Sequence, residues 1–161
     1  MDLYSLSEQV GEALHRRGRM LATAESCTGG WIAEAVTAVA GSSRWFERGF
    51  VTYSNDAKRE LLGVRAETLA QHGAVSEATA REMAEGVLAH SRAQVAVAVS
   101  GIAGPGGGSL DKPVGTVCLA WAGKGAATRS LRTLFAGNRE AVRRQAVVTA
   151  LQGILDLLNE C

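Results

Sequence analysis

The sequence predicts a three-layer α/β/α fold built on a mixed sheet. Three observations point there. Segments with helical spacing of apolar residues alternate with short strand-like runs over the first hundred or so residues. "QVAVAVS" (94–100) is nearly all apolar, which marks a strand covered on both faces. "PVGTVCLAWAG" (113–123) and "AATRSLRTLFAG" (126–137) are joined by the tight turn "KG", so they pair antiparallel. Strands alternating with helices, then a hairpin and a terminal helix, make a sheet sandwiched by helices.

Each element has its own signal. Ser5 and Glu8 form an S-x-x-E capping box, and Leu6, Val10, Ala13 and Leu14 recur at helical spacing until Gly18. "RMLATAES" (19–26) reads as a short strand ending in polar residues, and "GGWIAEAVTAVAG" (29–41) as a helix stopped by Gly41. "RGFVTYS" (48–54) has strand composition, and "NDAKRELLG" (55–63) a helical pattern capped at Ser54 or Asn55. Ser76 caps a helix over 77–91 with Ala80, Met83, Ala84, Val87 and Leu88 on one face. Asn138 caps a last helix carrying Val142, Ala146, Ala150, Ile154 and Leu157.

Residues 1–161 read as one domain, long enough to bury a core without disulfides or metals, and neither an internal repeat nor a linker divides it. A net charge of +1 gives no electrostatic footprint for nucleic acid or an anionic membrane. "HRRGR" (15–19) reads as a solvated helix end. No apolar run reaches the roughly 18 residues that span a bilayer, and the N-terminus lacks the pattern of a signal peptide. Three widely spaced cysteines, Cys27, Cys118 and Cys161, fit a reduced, cytoplasmic protein. His15, His72 and His90 are scattered, so no metal site is expected.

Chemistry concentrates in three turns. "TAESCTGG" and "TYSNDAK" have the form strand, polar turn, helix start, and "SGIAGPGGG" follows the most buried strand. Ligands of open α/β sheets collect where strands end and helices begin, helped by free N–H groups and the helix dipole. The glycine-rich loop matches neither the dinucleotide fingerprint nor the P-loop, and serves equally as a ligand loop or a connection. On position alone Ser26 is a nucleophile or a helix cap. Cys27 is a thiolate or a small buried apolar residue, and Thr28 a cap.

Lys58 changes the weighting. It lies on the first turn of its helix, where a positive charge opposes the dipole. Desolvated there, its pKa falls from roughly 10.4 toward neutrality, and a neutral amine can take a proton from a serine. Tyr53, five residues earlier, can relay or position that proton, or simply be a core aromatic.

"TAESCTGGWIAE", "GSSRWFERGFVTYSNDAK", "GAVSEATA", "SGIAGPGGGSLDKPVGTV" and "GNREAVRRQ" resemble the nicotinamide-nucleotide amidase family. That family is also known as the C-terminal domain of the competence/damage-inducible protein CinA. The resemblance covers essentially the whole chain and keeps the motif order. It departs in one place, "GPGGGS", where an acidic residue often follows the proline. Larger members carry an extra N-terminal domain resembling molybdopterin-binding proteins, for which this chain has no room.

The resemblance implies hydrolysis of nicotinamide mononucleotide to nicotinate mononucleotide and ammonia, without metal or organic cofactor. It implies Ser26 as nucleophile, with Tyr53 and Lys58 as its catalytic partners. Thr28, Gly29 and Gly30 would offer N–H groups to the oxyanion, and Ser100, Gly101 and Gly104 would line the substrate pocket. Arg143 would hold the phosphate or depress the lysine pKa, with Arg139 and Arg144 as alternatives. The small-molecule substrate is the expected partner, in a homo-oligomer, with dimer the simplest case. The rival reading is a regulatory module that binds pyridine or ADP-ribose-type ligands without turnover; it leaves Lys58 beside the serine turn unexplained.

Overall fold

Alternating side chains decide how the layers meet. In the computed structural model, which describes residues 2–160, the apolar run near the middle of the chain is a strand, Val95–Gly101. Its valines 95, 97 and 99 face one core, and Ala96 and Ala98 face another. Cys161 lies outside the described residues.

The elements in chain order are α1 (Leu3–Arg16), β1 (Leu21–Glu25), α2 (Trp31–Thr37), β2 (Phe46–Val51), α3 (Asn55–Leu62) and α4 (Ala66–His72). They continue with α5 (Glu77–Ala89), β3 (Val95–Gly101), β4 (Thr116–Gly123), β5 (Arg129–Leu134) and α6 (Arg139–Asn159). The sheet order is β2-β1-β3-β4-β5. β1 runs parallel to both β2 and β3, whereas β3–β4 and β4–β5 are antiparallel. The three-layer mixed sheet is therefore as the sequence predicts, with α1, α2 and α6 on one face and α5 on the other, where α3 and α4 pack against it.

The two faces differ in bulk. Val97, Val99, Val117, Leu119 and Trp121 point toward α1 and α6. The opposite face presents Ala22, Ala24, Ala96, Ala98, Ala120 and Ala122 to α5. Small side chains let α5 lie close on the sheet. α3 is drawn in after it: a Cβ on Gly86 of α5 would run into the Leu62 carbonyl at the end of α3. Close packing on the alanine face thus sets the position of the helix that carries Lys58.

Three local expectations change. α2 stops at Thr37 with Ala38 as its C-cap, short of the stop expected at Gly41, which instead opens a short turn of 3-10 helix. The first helix starts at Leu3 rather than at a Ser5–Glu8 box. Asp2 is the cap, accepting the Ser5 N–H at 2.7 Å, so Ser5 is inside the first turn. α4 has no counterpart in the sequence reading; it is seven residues long, and its Leu69 packs with Val64 onto the α5 core.

Candidate active site

β1, β2 and β3 end on the same edge of the sheet, and the chain leaves β1 and β3 in opposite directions. From β1 it passes through α2 to β2, and from β3 it turns back into β4. The edge between them is a topological switch point. The three polar turns singled out in the sequence all meet there.

Ser26 is the first residue beyond β1. Its N–H donates to the Val99 carbonyl at 3.1 Å, which prolongs the β1–β3 pairing and fixes the residue against the sheet. The chain then reverses through Cys27–Gly30. Gly29 and Gly30 have φ of +62° and +110°, conformations that side-chain-bearing residues rarely adopt. Gly30 is consequently the cap of α2 and has no side chain with which to cap it. Glu25 fills that role from the strand. Its carboxylate accepts the Ile32 and Ala33 N–H groups at 2.8 and 3.0 Å and the Thr28 hydroxyl at 2.6 Å. Neither Ser26 nor Thr28 caps the helix, so the cap reading holds for neither.

Lys58 approaches from α3, whose own cap is Ser54, accepting the Ala57 N–H at 3.0 Å. The lysine is 1% exposed. Its Nζ lies 3.0 Å from Ser26 Oγ, 3.0 Å from the Thr52 carbonyl oxygen and 3.1 Å from that of Tyr53. Among the described residues no carboxylate forms an ion pair with it. Burial accordingly holds its pKa below the ordinary 10.5, only partly countered by the nearby Cys27 thiol. The carbonyls can only accept, so the two hydrogens of a neutral amine go to them. In that form the lone pair would be left for Ser26 Oγ; in the charged form a third N–H donates to Ser26 Oγ, whose hydroxyl donates to the Tyr53 carbonyl at 3.4 Å.

Tyr53 meets the pair through its main chain, a contact the sequence reading did not name. Its main-chain carbonyl, not its phenol, touches Ser26 and Lys58. The residue is 63% exposed and lines the cavity beside Ser26 and Lys58. That cavity, about 280 Å³, has Ser26, Lys58, Ser100, Gly101 and Gly104 in its wall, with Asn55 and Arg139 beside them. Thr28, Gly29, Gly30 and Arg143 border a neighbouring groove of about 720 Å³ instead, and Arg139 borders both.

The arginines divide. Arg143 donates from Nε to the Cys27 carbonyl at 3.0 Å and from Nη2 to the Thr28 carbonyl at 3.1 Å, and stacks 5.4 Å over Trp31. Arg139 donates to the Gly104 carbonyl at 2.7 Å, and Arg144 is exposed and borders neither depression. Cys27 packs into the core at 6% exposure and also lines the 280 Å³ cavity, and burial raises its thiol pKa to about 11. Such a thiol is a poor nucleophile at neutral pH. Glu25 is the side chain that the sequence reading passed over. An acid closing a strand ahead of a Gly-Gly helix start was the available signal.

Among the described residues, no cluster of three or more His, Cys, Asp or Glu side chains is placed to hold a metal ion. Among the same residues, no helix is long and apolar enough to cross a membrane.

Fold and site define a class: three-layer α/β proteins with a buried, unpaired lysine set against a serine at the sheet's switch point. Within that class, the chain belongs to the CinA C-terminal domain family, whose sequence profile matches residues 3–158. It is 61% identical over 151 residues to nicotinamide-nucleotide amidohydrolase PncC of Escherichia coli (strain K12), covering 94% of this chain and 92% of that one. Identity to the protein of the same name from Pseudomonas putida is 55% over 156 residues, 97% of each. The crystal structure of competence/damage inducible protein CihA from Agrobacterium tumefaciens superposes with a TM-score of 0.95 at 49% identity, covering 99% of this chain and 96% of that one.

Proposed function

We propose that this chain is an amidohydrolase that converts nicotinamide mononucleotide to nicotinate mononucleotide and ammonia, with Ser26 as nucleophile and Lys58 as general base. The names of near-full-length relatives at 55% and 61% identity support the substrate. The observation that carries the mechanism is the buried Lys58 amine 3.0 Å from Ser26 Oγ, with two carbonyls occupying its other side. A module that only binds ligands has no use for a desolvated, unpaired lysine.

Ser26 Oγ attacks the carboxamide carbon as its proton passes to Lys58. The carbonyl π electrons move to oxygen. The N–H groups of Cys27, Thr28 and Gly30, none bonded to an acceptor within the described residues, are the candidate donors to that oxyanion. The Gly29 N–H is not one of them, because it donates to the Ser26 carbonyl at 3.0 Å. Collapse breaks the C–N bond, and Lys58 returns the proton to the departing nitrogen, which leaves as ammonia. Water then attacks the Ser26 ester with Lys58 again as base, releasing the carboxylate and restoring the serine.

The 280 Å³ cavity suits the pyridine carboxamide, with the ribose phosphate extending past Tyr53 and Arg139 toward the wider groove. Arg139 is the phosphate contact in this arrangement. Arg143, committed to two carbonyls, braces the nucleophile turn. We place the activity in the cytoplasm, in keeping with two free, buried cysteines. The family resemblance supports a homo-oligomer, which light scattering would count. Ammonia release from nicotinamide mononucleotide by the purified protein tests the function; a protein that binds the nucleotide and releases no ammonia overturns it.

A further inference from the structure

Glu25 is an acidic side chain in an expensive place. It closes β1 at 1% exposure, between its register partners Val51 on β2 and Val99 on β3. A buried carboxylate is costly unless its oxygens are satisfied. No lysine or arginine forms an ion pair with it among the described residues. All three donors that satisfy it, the Thr28 hydroxyl and the Ile32 and Ala33 N–H groups, belong to the segment leaving Ser26. Its main chain reaches the other half of the site: the Glu25 carbonyl accepts the Thr52 N–H at 2.9 Å, and the carbonyls of Thr52 and Tyr53 hold Lys58. One residue is therefore tied to the nucleophile's turn by its side chain and to the lysine's cradle by its backbone.

The geometry points to Glu25 as a positioning residue for the hydrolysis, one that fixes the Cys27–Gly30 turn so that its free N–H groups stay directed at the charge developing beside Ser26. The inference rests on the reading of Ser26 as nucleophile. Arg143 pulls on the carbonyls of the same turn while Glu25 takes its hydroxyl and the following amides. The turn is thus held between an anion and a cation. A helix cap alone would set stability; a clamp on the oxyanion donors also sets the rate.

The test is Glu25→Gln, which keeps the volume and one oxygen but turns an amide N–H₂ toward donors. Expected are a fall in kcat of roughly a hundredfold per folded enzyme, with KM changed less than about threefold. The pH inflection of activity stays in place, because the neighbours of Lys58 are unaltered. Thr28→Val removes one donor only, and serves if the glutamine variant does not fold; its kcat falls less, and the losses in the double variant are not additive. A second readout needs no nucleotide: the rate at which phenylmethanesulfonyl fluoride labels Ser26, followed by intact mass, falls in parallel. A lowered melting temperature with unchanged kcat and unchanged labelling, in whichever variant folds, overturns the proposal while leaving the function intact. A wild type that neither hydrolyses the nucleotide nor labels at Ser26 overturns the proposed function and this proposal together.

Discussion

Arg143 reaches the Cys27 carbonyl at 3.0 Å from a helix that begins more than a hundred residues downstream. The same guanidinium holds the Thr28 carbonyl at 3.1 Å, so both peptide units behind Ser26 are pinned from α6. Removing this brace should disturb the chemistry more than the affinity. Arg143→Ala is expected to lower kcat on the order of a hundredfold through misplacement of the turn, with KM little changed.

Arg139→Ala should do the reverse. A lost charge-assisted phosphate contact is worth on the order of 2 kcal/mol, or about thirtyfold in KM, with kcat nearly kept. Steady-state kinetics of the two variants checks both statements. Thirtyfold weaker KM in Arg143→Ala alone would return the phosphate to that residue.

Lys58 gives two pH signatures. Activity requires the neutral amine, so kcat/KM should rise with pH through an inflection below the ordinary lysine value of 10.5, in the direction that burial shifts it. Stability follows the same group. Because the folded-state pKa is lowered, the unfolded chain binds more protons between that value and 10.5, so wild-type stability climbs with pH across this window. Below it, the full cost of burying the charged amine is present.

Lys58→Met should abolish this climb and lower kcat by roughly a hundredfold to ten-thousandfold. Thermal melts from acid to alkaline pH, run beside kinetics, check both. Parallel melting curves for the two proteins would contradict the burial effect.

Cys27→Ala should keep most of the activity, because a buried thiol with its pKa raised to about 11 stays protonated at neutral pH and is a poor nucleophile, although it lines the same cavity. The cost is packing, about 1 kcal/mol. Slow alkylation of Cys27 in the native protein is the companion measurement.

Gly86→Ala should destabilise by about 1–3 kcal/mol, since the new methyl meets the Leu62 backbone. Turnover should fall as well, because Leu62 ends the helix that carries Lys58. Chemical denaturation and kcat on the folded fraction separate the two effects.

The sheet was legible because its signals are local and strong. The near-continuous apolar run "QVAVAVS" and the "KG" hairpin are read from a few residues each. α4 was not, since seven residues hold too few turns to show a period. Ser26 and Lys58 stood out as candidates from residue type and turn position, but the choice of nucleophile over cap for Ser26 came with the family resemblance. The division of the arginines was not, because Arg139 and Arg143 share a helix and differ only in which carbonyls they meet. Glu25 escaped for a related reason: its partners at Thr28, Ile32 and Ala33 become neighbours only once Gly29 and Gly30 fold the chain back.

The most direct measurement is a single-turnover reaction with nicotinamide mononucleotide, quenched in acid and mapped by mass spectrometry, in the wild type, Ser26→Ala and Cys27→Ala. The expected result is a nicotinate mononucleotide acyl mass on Ser26 in the wild type and in Cys27→Ala, with ammonia released in step and neither adduct nor ammonia from Ser26→Ala. An acyl mass on Cys27, or full turnover by Ser26→Ala, would contradict the serine–lysine assignment.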